Sequence, residues 1–437
     1  MNIPKIDNAY ENIKNACEER IKIIYPHRIP QEAQERLDKE LEYLKVSDYI
    51  DDFEIARLLY KDARRSSQYL ITRGTLSGSF IFYLISSSLT NPLPPHYICP
   101  NCGETKMINS KLFGIDYPKR KCPSCNSTML SDGYNLSIES VWGIDGKKSL
   151  SFDYNTSREY YPFAKRLLEK IYPDNAIVPY GMFYIKEEHP SGDMNLCGYV
   201  ILSKGQTIDD YPDLQGYLEN GEMCISGNLI DIEENNMKRI LLYDSNVLNA
   251  IVSMQRCTGI YINNITPLEL QTITWKNISN TKIIESNFFE NIKYIKPQTI
   301  TELINLMCSF HSTYSCCPVD PTHFNPKWEK MINSPEFKKY PCHSRDDVFD
   351  ILLSLGLSRN VAYETSELVR KGLASREKYA DKFESLNLPE DLYDMFKNIR
   401  YLFPRAHCCE FLLTYSILAY YLKIDSKNFS KVIRPLL

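Results

Sequence analysis

The 437-residue sequence has no long hydrophobic run. Its most apolar stretches, Phe80–Leu89 and Phe411–Ile424, are too short or too polar for a bilayer span, which needs about 20 apolar residues. Met1 to Lys14 has no apolar core, so no secretory signal is expected and a cytoplasmic, membrane-free protein is. Charge of one sign is also lacking: 51 Lys and Arg stand against 55 Asp and Glu, a net charge of −4. That balance neither requires nor excludes nucleic acid, but a DNA-binding face would have to gather its Lys and Arg locally. No fixed-period repeat, low-complexity tract or heptad is present, so nothing specifies an oligomer. What is plentiful is cysteine, at 14. Without a signal this argues for reduced thiols, metal binding or burial.

The length implies two or three domains. Residues 7–70 have helical spacing, with Leu41, Leu44 and Ile50, then Ile55, Leu58 and Leu59, on recurring faces. The stretch ITRGTLSGSF, Ile71–Phe80, changes character. Gly74 and Gly78 among hydroxyl residues form a small-residue loop entering a helix, either an anion seat on free N–H groups or an ordinary turn with an N-cap. Residues 91–130 form a rigid loop region that carries cysteines. Cys197–Ser203 and Arg239–Tyr243 are strand-like. Residues 256–340 are irregular, and 344–437 are helical. Ser344 starts one helix and Gly356 ends it; Ser358 and Gly372 bound the next; Pro389 with Glu390 and Asp391 starts another. Phe411–Leu422 is expected to be a buried helix.

Cys99, Cys102, Cys122 and Cys125 have the spacing C-x2-C-x19-C-x2-C, in CPNC and CPSC turns. Each pair points two thiolates into one site. Four soft ligands in a closed tetrahedron suit a structural zinc ion and leave no position for catalysis. Cys316, Cys317, His323, Cys342 and His343 fit no ligand pattern, and Cys408 and Cys409 are expected in a core.

Several stretches together resemble the PolC-type DNA polymerase III alpha subunit. LITRGTLSGSF resembles that family's Gly/Ser loop, which helps hold the incoming triphosphate. NPLPPHYICPNC (Asn91–Cys102), DGYNLSIESVWG (Asp132–Gly143), KPQTITELINLMCSFH (Lys296–His311), ELVRKG (Glu367–Gly372) and IRYLFPRAHCCEFLLTYSILAYYLKI (Ile399–Ile424) follow in the family's order. The resemblance runs from about residue 15 onward. It implies an α+β fold: a nucleotidyltransferase-type polymerase palm with the four-cysteine zinc module inserted, and a helical fingers domain. The domains expected are 1–60, a helical lead-in; 61–255, palm-like, with the zinc module at 91–130; 256–340, a reduced fingers region; and 341–437, fingers-like. The chain matches palm and fingers only.

The family places two metal-binding aspartates as Asp-x-Asp on a palm strand and a third on a later strand. The matching positions here are Ser151, Asp153 and Ile240. Asp244 lies four residues beyond Ile240, roughly 13 Å further along a strand. One carboxylate holds two magnesium ions poorly, so productive magnesium binding is not expected. Two family arginines correspond to Ser286 and Phe289. Asn195–Gly198 or His189–Gly192 matches the family's His-Pro-Gly-Gly run. On this basis the chain is expected not to be an enzyme, but a non-catalytic PolC-like replication protein of a plasmid or phage that binds DNA, recruits host replisome proteins, or both. The alternatives are a regulator that binds replisome proteins without DNA, and a minimal polymerase using Asp153 with Asp244, Glu233 or Glu234. The resemblance assigns nucleotide or DNA contacts to Arg73, Gly74, Thr75, Ser77, Lys371, Lys397, Arg400, Arg405 and His407; a solvated basic face is the plain alternative.

Overall fold

The computed structural model describes residues 3–86, 88–109, 111–182, 194–262, 265, 267–281, 292, 295–314 and 331–436. The helical stretch expected over residues 7–70 consists of three helices, Ala9–Ile24, Gln31–Val46 and Ile50–Arg65. The first buries Ala9, Ile13, Cys17 and Ile21, an i, i+4 stripe that meets the core along one face. Pro26 and Pro30 fall between the first two helices, where a missing N–H and a fixed φ stop one helix and admit the next.

A seven-stranded sheet with the order β1-β6-β11-β8-β7-β10-β9 follows. Its strands are β1 (Leu70–Thr72), β6 (Asp153–Thr156), β7 (Ile177–Met182), β8 (Asn195–Ile201), β9 (Gln215–Tyr217), β10 (Met223–Ile225) and β11 (Lys238–Asp244). β6 and β11 run parallel, as do β7 and β10; the other pairs are antiparallel. The protein is thus α+β. Gly198 of β8 has φ +127°, and a Cβ there would stand 2.0 Å from the Ile240 carbonyl oxygen of β11. Only glycine allows β8 and β11 to approach this way.

The cysteine-bearing stretch is not the loop expected. It holds a four-stranded sheet, β3-β2-β5-β4, made of β2 (His96–Ile98), β3 (Thr105–Met107), β4 (Arg120–Lys121) and β5 (Thr128–Asp132). Turn-rich composition hid strands of two to five residues.

Three large cores result. One joins the N-terminal helices to one face of the large sheet, with Phe53 stacked on Trp142 at 5.5 Å. A second surrounds the helices Asn246–Thr258, Ile300–His311 and Arg405–Ile424. The third lies among residues 314–402, with helices Arg345–Ser354, Arg359–Arg370 and Glu390–Asn398 and the two-stranded ribbon β12 (Thr313–Tyr314) and β13 (Ile399–Tyr401). Ser344 and Ser358 cap the first two of these helices, Gly356 and Gly372 take positive φ just past their ends, and Pro389 precedes the third. The helix Arg405–Ile424 buries Phe411's neighbours Leu412, Leu413, Ile417, Leu418 and Tyr421, in the second core rather than the third. No described helix is long and apolar enough to cross a membrane.

Candidate functional site

The four thiols of Cys99, Cys102, Cys122 and Cys125 converge, with their sulfur atoms within 4.8 Å of one another. Two identical turns bring them there. In the first, the Cys99 N–H donates to the Glu104 carbonyl at 2.8 Å and the Gly103 N–H to the Cys99 carbonyl at 2.9 Å. In the second, the Cys122 N–H donates to Ser127 O at 2.8 Å and the Asn126 N–H to Cys122 O at 2.9 Å. Each turn reverses through a left-handed residue, Gly103 at φ +67° and Asn126 at φ +61°, residue types that tolerate it. Hydrogen bonds from Ser127 and Asn101 lower the Cys125 thiol. The Glu104 N–H acts the same way on Cys102, but burial and the neighbouring thiols outweigh it and raise that group. Four thiols this close share their protons until a cation replaces them. Four sulfur donors in this closed arrangement could hold one metal ion. Cys316, Cys317 and His323 lie outside the described residues. Cys342 is buried, and His343 Nδ1 bonds Ser309 Oγ at 2.7 Å; Cys408 and Cys409 are fully buried.

The second site is on the face of β6 that carries Asp153 and Asn155. Ser151 Oγ donates to Asp153 Oδ2 at 2.9 Å, while Asp153 Oδ1 is buried without a partner. In the β6–β11 register Asp153 stands beside Leu241, and Asn155 beside Tyr243. Neighbours in register share a face and adjacent residues do not. Ile240 therefore points to the opposite face, into the core of Tyr154 and Leu242. The position beside Asp153 on β11 is Leu241, one residue from the one sequence matching selects. Asp244 also points away; it binds Arg158 at 2.6 Å and Asn249 Nδ2 at 2.8 Å. Glu233 and Glu234 are exposed at the end of another helix. None of these joins Asp153.

Arg73 does. It follows β1, its N–H donates to the Asp153 carbonyl at 2.8 Å, and its guanidinium lies 4.4 Å from the centre of the Tyr243 ring and 3.4 Å from Asn155 Oδ1. Burial first, and then Asp153, push the Tyr243 hydroxyl up to about 12. Residues Gly74–Gly78 form a 3-10 turn. The Gly74 N–H donates to His407 Nδ1 at 3.2 Å, and burial holds His407 well below its usual pKa, so it accepts as a neutral ring. Thr75 is half-buried, and Ser77 is buried with its hydroxyl on the Thr72 carbonyl at 3.2 Å.

The remaining basic positions divide. Lys371 is exposed. Lys397 pairs with Asp394 at 3.0 Å, and Arg400 reaches Ser375 Oγ at 2.7 Å; both are exposed. Arg405 is only 5% exposed. Its guanidinium binds Asp347 at 2.8 Å and Asp350 at 3.1 Å, and its backbone N–H donates to Asp346 at 2.9 Å. It braces the interior and faces no cleft. Ser286, Phe289 and His189–Gly192 lie outside the described residues; Asn195–Gly198 lies in β8.

Two carboxylates escaped sequence reading because each sits on the apolar face of its helix. Glu40 receives Ser79 Oγ at 2.6 Å, the Phe80 and Ile81 N–H groups at 2.9 and 3.2 Å, and Arg36 Nε at 2.6 Å. Glu410 receives Ser88 Oγ and Thr90 Oγ1 at 2.7 Å and the Leu89 N–H at 2.9 Å. The pair pins both ends of the segment that follows the Gly/Ser turn. Their signal is a charge on an otherwise apolar face, which must be paired when buried.

Burial pushes the Glu410 carboxyl from 4.5 up to about 7, outweighing the hydrogen bonds from Leu89, Ser88 and Thr90. Between those pH values the folded state keeps a proton that the unfolded chain has lost, so stability falls as pH rises, by on the order of 3 kcal/mol across the window. Urea midpoints from pH 4.5 to 7.5 should show that decline, and Glu410→Gln should flatten it. An unchanged slope in the variant would assign the decline to another group.

A family model described as "Bacterial DNA polymerase III alpha NTPase domain" matches residues 11–184. The protein named DNA polymerase III PolC-type of Caldanaerobacter subterraneus subsp. tengcongensis is 23% identical over 96% of this chain and 33% of its own length. That of Bacillus subtilis is 23% identical over 96% and 32%, and that of Thermotoga maritima 22% over 96% and 34%. The chain thus spans about a third of the length of these relatives. The expectation that it is not an enzyme does not stand. Its relatives are polymerases by name, and at 23% identity the matching of single strand positions is insecure. The β6–β11 register itself moves one of the three positions by a residue. Over 96% of its length the chain is thus similar to DNA polymerase III PolC-type proteins, and its residues 11–184 match the DNA polymerase III alpha model.

Proposed function

We propose that this protein acts in DNA replication by binding DNA at the edge of the β6 face that carries Asp153, where Arg73 and Tyr243 are half-buried. Residues 61–255 serve as the palm and 341–437 as fingers, in a plasmid or phage replication system that also engages host replisome proteins. The four-cysteine cluster holds a structural zinc ion, since soft, closed four-thiolate sites favour it. The observation that carries the reading is the meeting of Arg73, Asn155, Tyr243 and Asp153 on one sheet face beside the Gly/Ser turn. A guanidinium there offers donors to a phosphate, and an aromatic ring a stacking surface for a base.

Fluorescence anisotropy with single-stranded, duplex and primed oligonucleotides tests it. Arg73→Ala should weaken binding about 10-fold, the worth of one charge-assisted contact. Equal binding by wild type and variant would sink the assignment to this face. Primer extension with magnesium or manganese, repeated with Asp153→Ala, determines whether Asp153 supports nucleotide transfer.

A further inference from the structure

A second basic cavity, of about 470 Å³, opens between the loop that leads into β6 and the helix Arg359–Arg370. Lys148 and Ser149 form one wall; Tyr363, Arg370, Lys371 and Lys382 form the other. Sequence matching picked out only Lys371 among these.

Lys148 lies deepest, its side chain 14% exposed. Its Nζ donates to the Ser140 carbonyl at 2.8 Å and stands 3.6 Å from Glu367 Oε1. An ammonium has three donors, so one is left over. Glu367 is the common counter-ion. Arg345 meets it at 3.2 Å and Arg370 at 2.8 Å, and these cations together hold its carboxyl down at about 2 against the cost of burial. Arg345 is shared with Asp346 at 3.7 Å, so the three cations face two carboxylates, an excess of one positive charge to which Lys371 at the mouth adds a second. Burial first, and then Arg345, lower Lys148 to about 7, as expected of an ammonium short of anionic partners. At the mouth, Lys382 is tied to Glu364 at 2.8 Å, while Lys371 is exposed with no ion-pair partner among the described residues.

We infer that this cavity is a phosphate-binding site, made by Lys148, Arg370 and Lys371. Ser149 is two residues from Ser151 and four from Asp153 on the same strand-entry loop. A strand lying on the Asp153 face would therefore reach the cavity with a neighbouring phosphate. The source of the phosphate, a nucleic-acid backbone or a free pyrophosphate, rests on the DNA-binding reading above; the site itself does not.

Lysine labelling followed by mass spectrometry tests both. The intact protein is treated with an amine-acylating reagent at pH 7.5, alone, with a single-stranded oligonucleotide, and with millimolar inorganic pyrophosphate. Labelling of Lys148 and Lys371 should fall several-fold with oligonucleotide, while Lys427 and Lys431 on the helix Ser426–Ile433 are unchanged. In parallel, Lys371→Ala should reduce the salt slope of oligonucleotide binding by about 0.7, the share of one contact on a single strand. If the oligonucleotide does not bind but pyrophosphate protects Lys148 and Lys371, the cavity stands as a phosphate site and the DNA reading falls. If the oligonucleotide binds with both lysines labelled as before and pyrophosphate gives no protection, the cavity is not a phosphate site. If neither ligand binds, both fail.

Discussion

Stripping the metal with a strong chelator will melt the β2–β5 module while leaving the large sheet in place. Its base is anchored without the metal: Ile98 packs in the first core, Phe113 and Ile115 in the second, and Asp116 accepts from the Ile300 and Thr301 N–H groups at 2.8 and 2.6 Å. The effect therefore centres on the part around the two cysteine turns. Its own core amounts to Tyr97, Cys99, Cys122 and Met129, and its sheet strands are two to five residues long. A hydrophobic cluster of that size does not offset the ordering entropy of some 35 residues. Structural zinc in comparable cysteine sites contributes roughly 10–16 kcal/mol of apparent binding free energy at neutral pH, far more than any other single interaction in this protein. Hydrogen exchange should show residues 99–107 and 120–129 losing protection on chelation and regaining it with added zinc, while residues 113–116, packed in the second core, keep theirs. Cys122→Ser should do the same without chelator. The large sheet is covered on one face by the core of Phe53, Trp142 and Tyr154, which does not depend on the cysteines. Retained protection of residues 99–107 and 120–129 in metal-free protein would refute the zinc assignment.

The second large effect is expected at Arg405. Replacing it with methionine preserves much of the side-chain volume and removes the only cation that touches Asp347 and Asp350 among the contacts described. Asp346 is fully buried, yet Arg345 and Arg405 hold its carboxyl at about 2, with help from Ser140. Uncompensated carboxylates in such a place cost about 3–5 kcal/mol. Asp346 and Glu367 are both held near 2 in the fold. Their depressed pKa values contribute stability that is present above the unfolded values near 4 and is lost as pH falls toward 2. The penalty of Arg405→Met should therefore be largest at neutral pH and shrink in acid. Urea denaturation at pH 7 and pH 3 measures it. If Arg405 were instead a DNA contact, the variant would keep its stability and lose affinity.

That pair of expectations shows what could be read without a structure. The cysteine spacing carries its own geometry, since two C-x2-C turns have few ways to present four thiolates. The helix limits at Ser344, Gly356, Ser358 and Gly372 were legible for a similar reason: caps act locally. The burial of Arg405 was not legible, because charge alone does not say whether a guanidinium meets solvent or three aspartates. Those aspartates lie 55 to 59 residues away in sequence. Ile240 was misplaced because strand register is set by pairing between distant segments, and a slip of one residue exchanges the two faces. Glu40 and Glu410 were passed over because a buried carboxylate is recognised by its donors, and those belong to residues 79–90. The Lys148 cavity needs two segments over 200 residues apart in the chain; no pattern within either one announces it.

The order of the large sheet also has a temporal side. Leu70 of β1 pairs with Thr156 of β6, and β6 then waits for Leu241 of β11. The centre of the sheet cannot assemble until the chain as far as residue 244 is available, and such distant closures are slow. The cysteine module lies wholly inside the first of these loops, between residues 96 and 132. Once it has captured its ion, it shortens the free chain that must be drawn in before β1 meets β6. Under the proposed zinc assignment, metal supply during synthesis would then govern how fast the nascent polypeptide matures, as well as how firmly the finished one holds together.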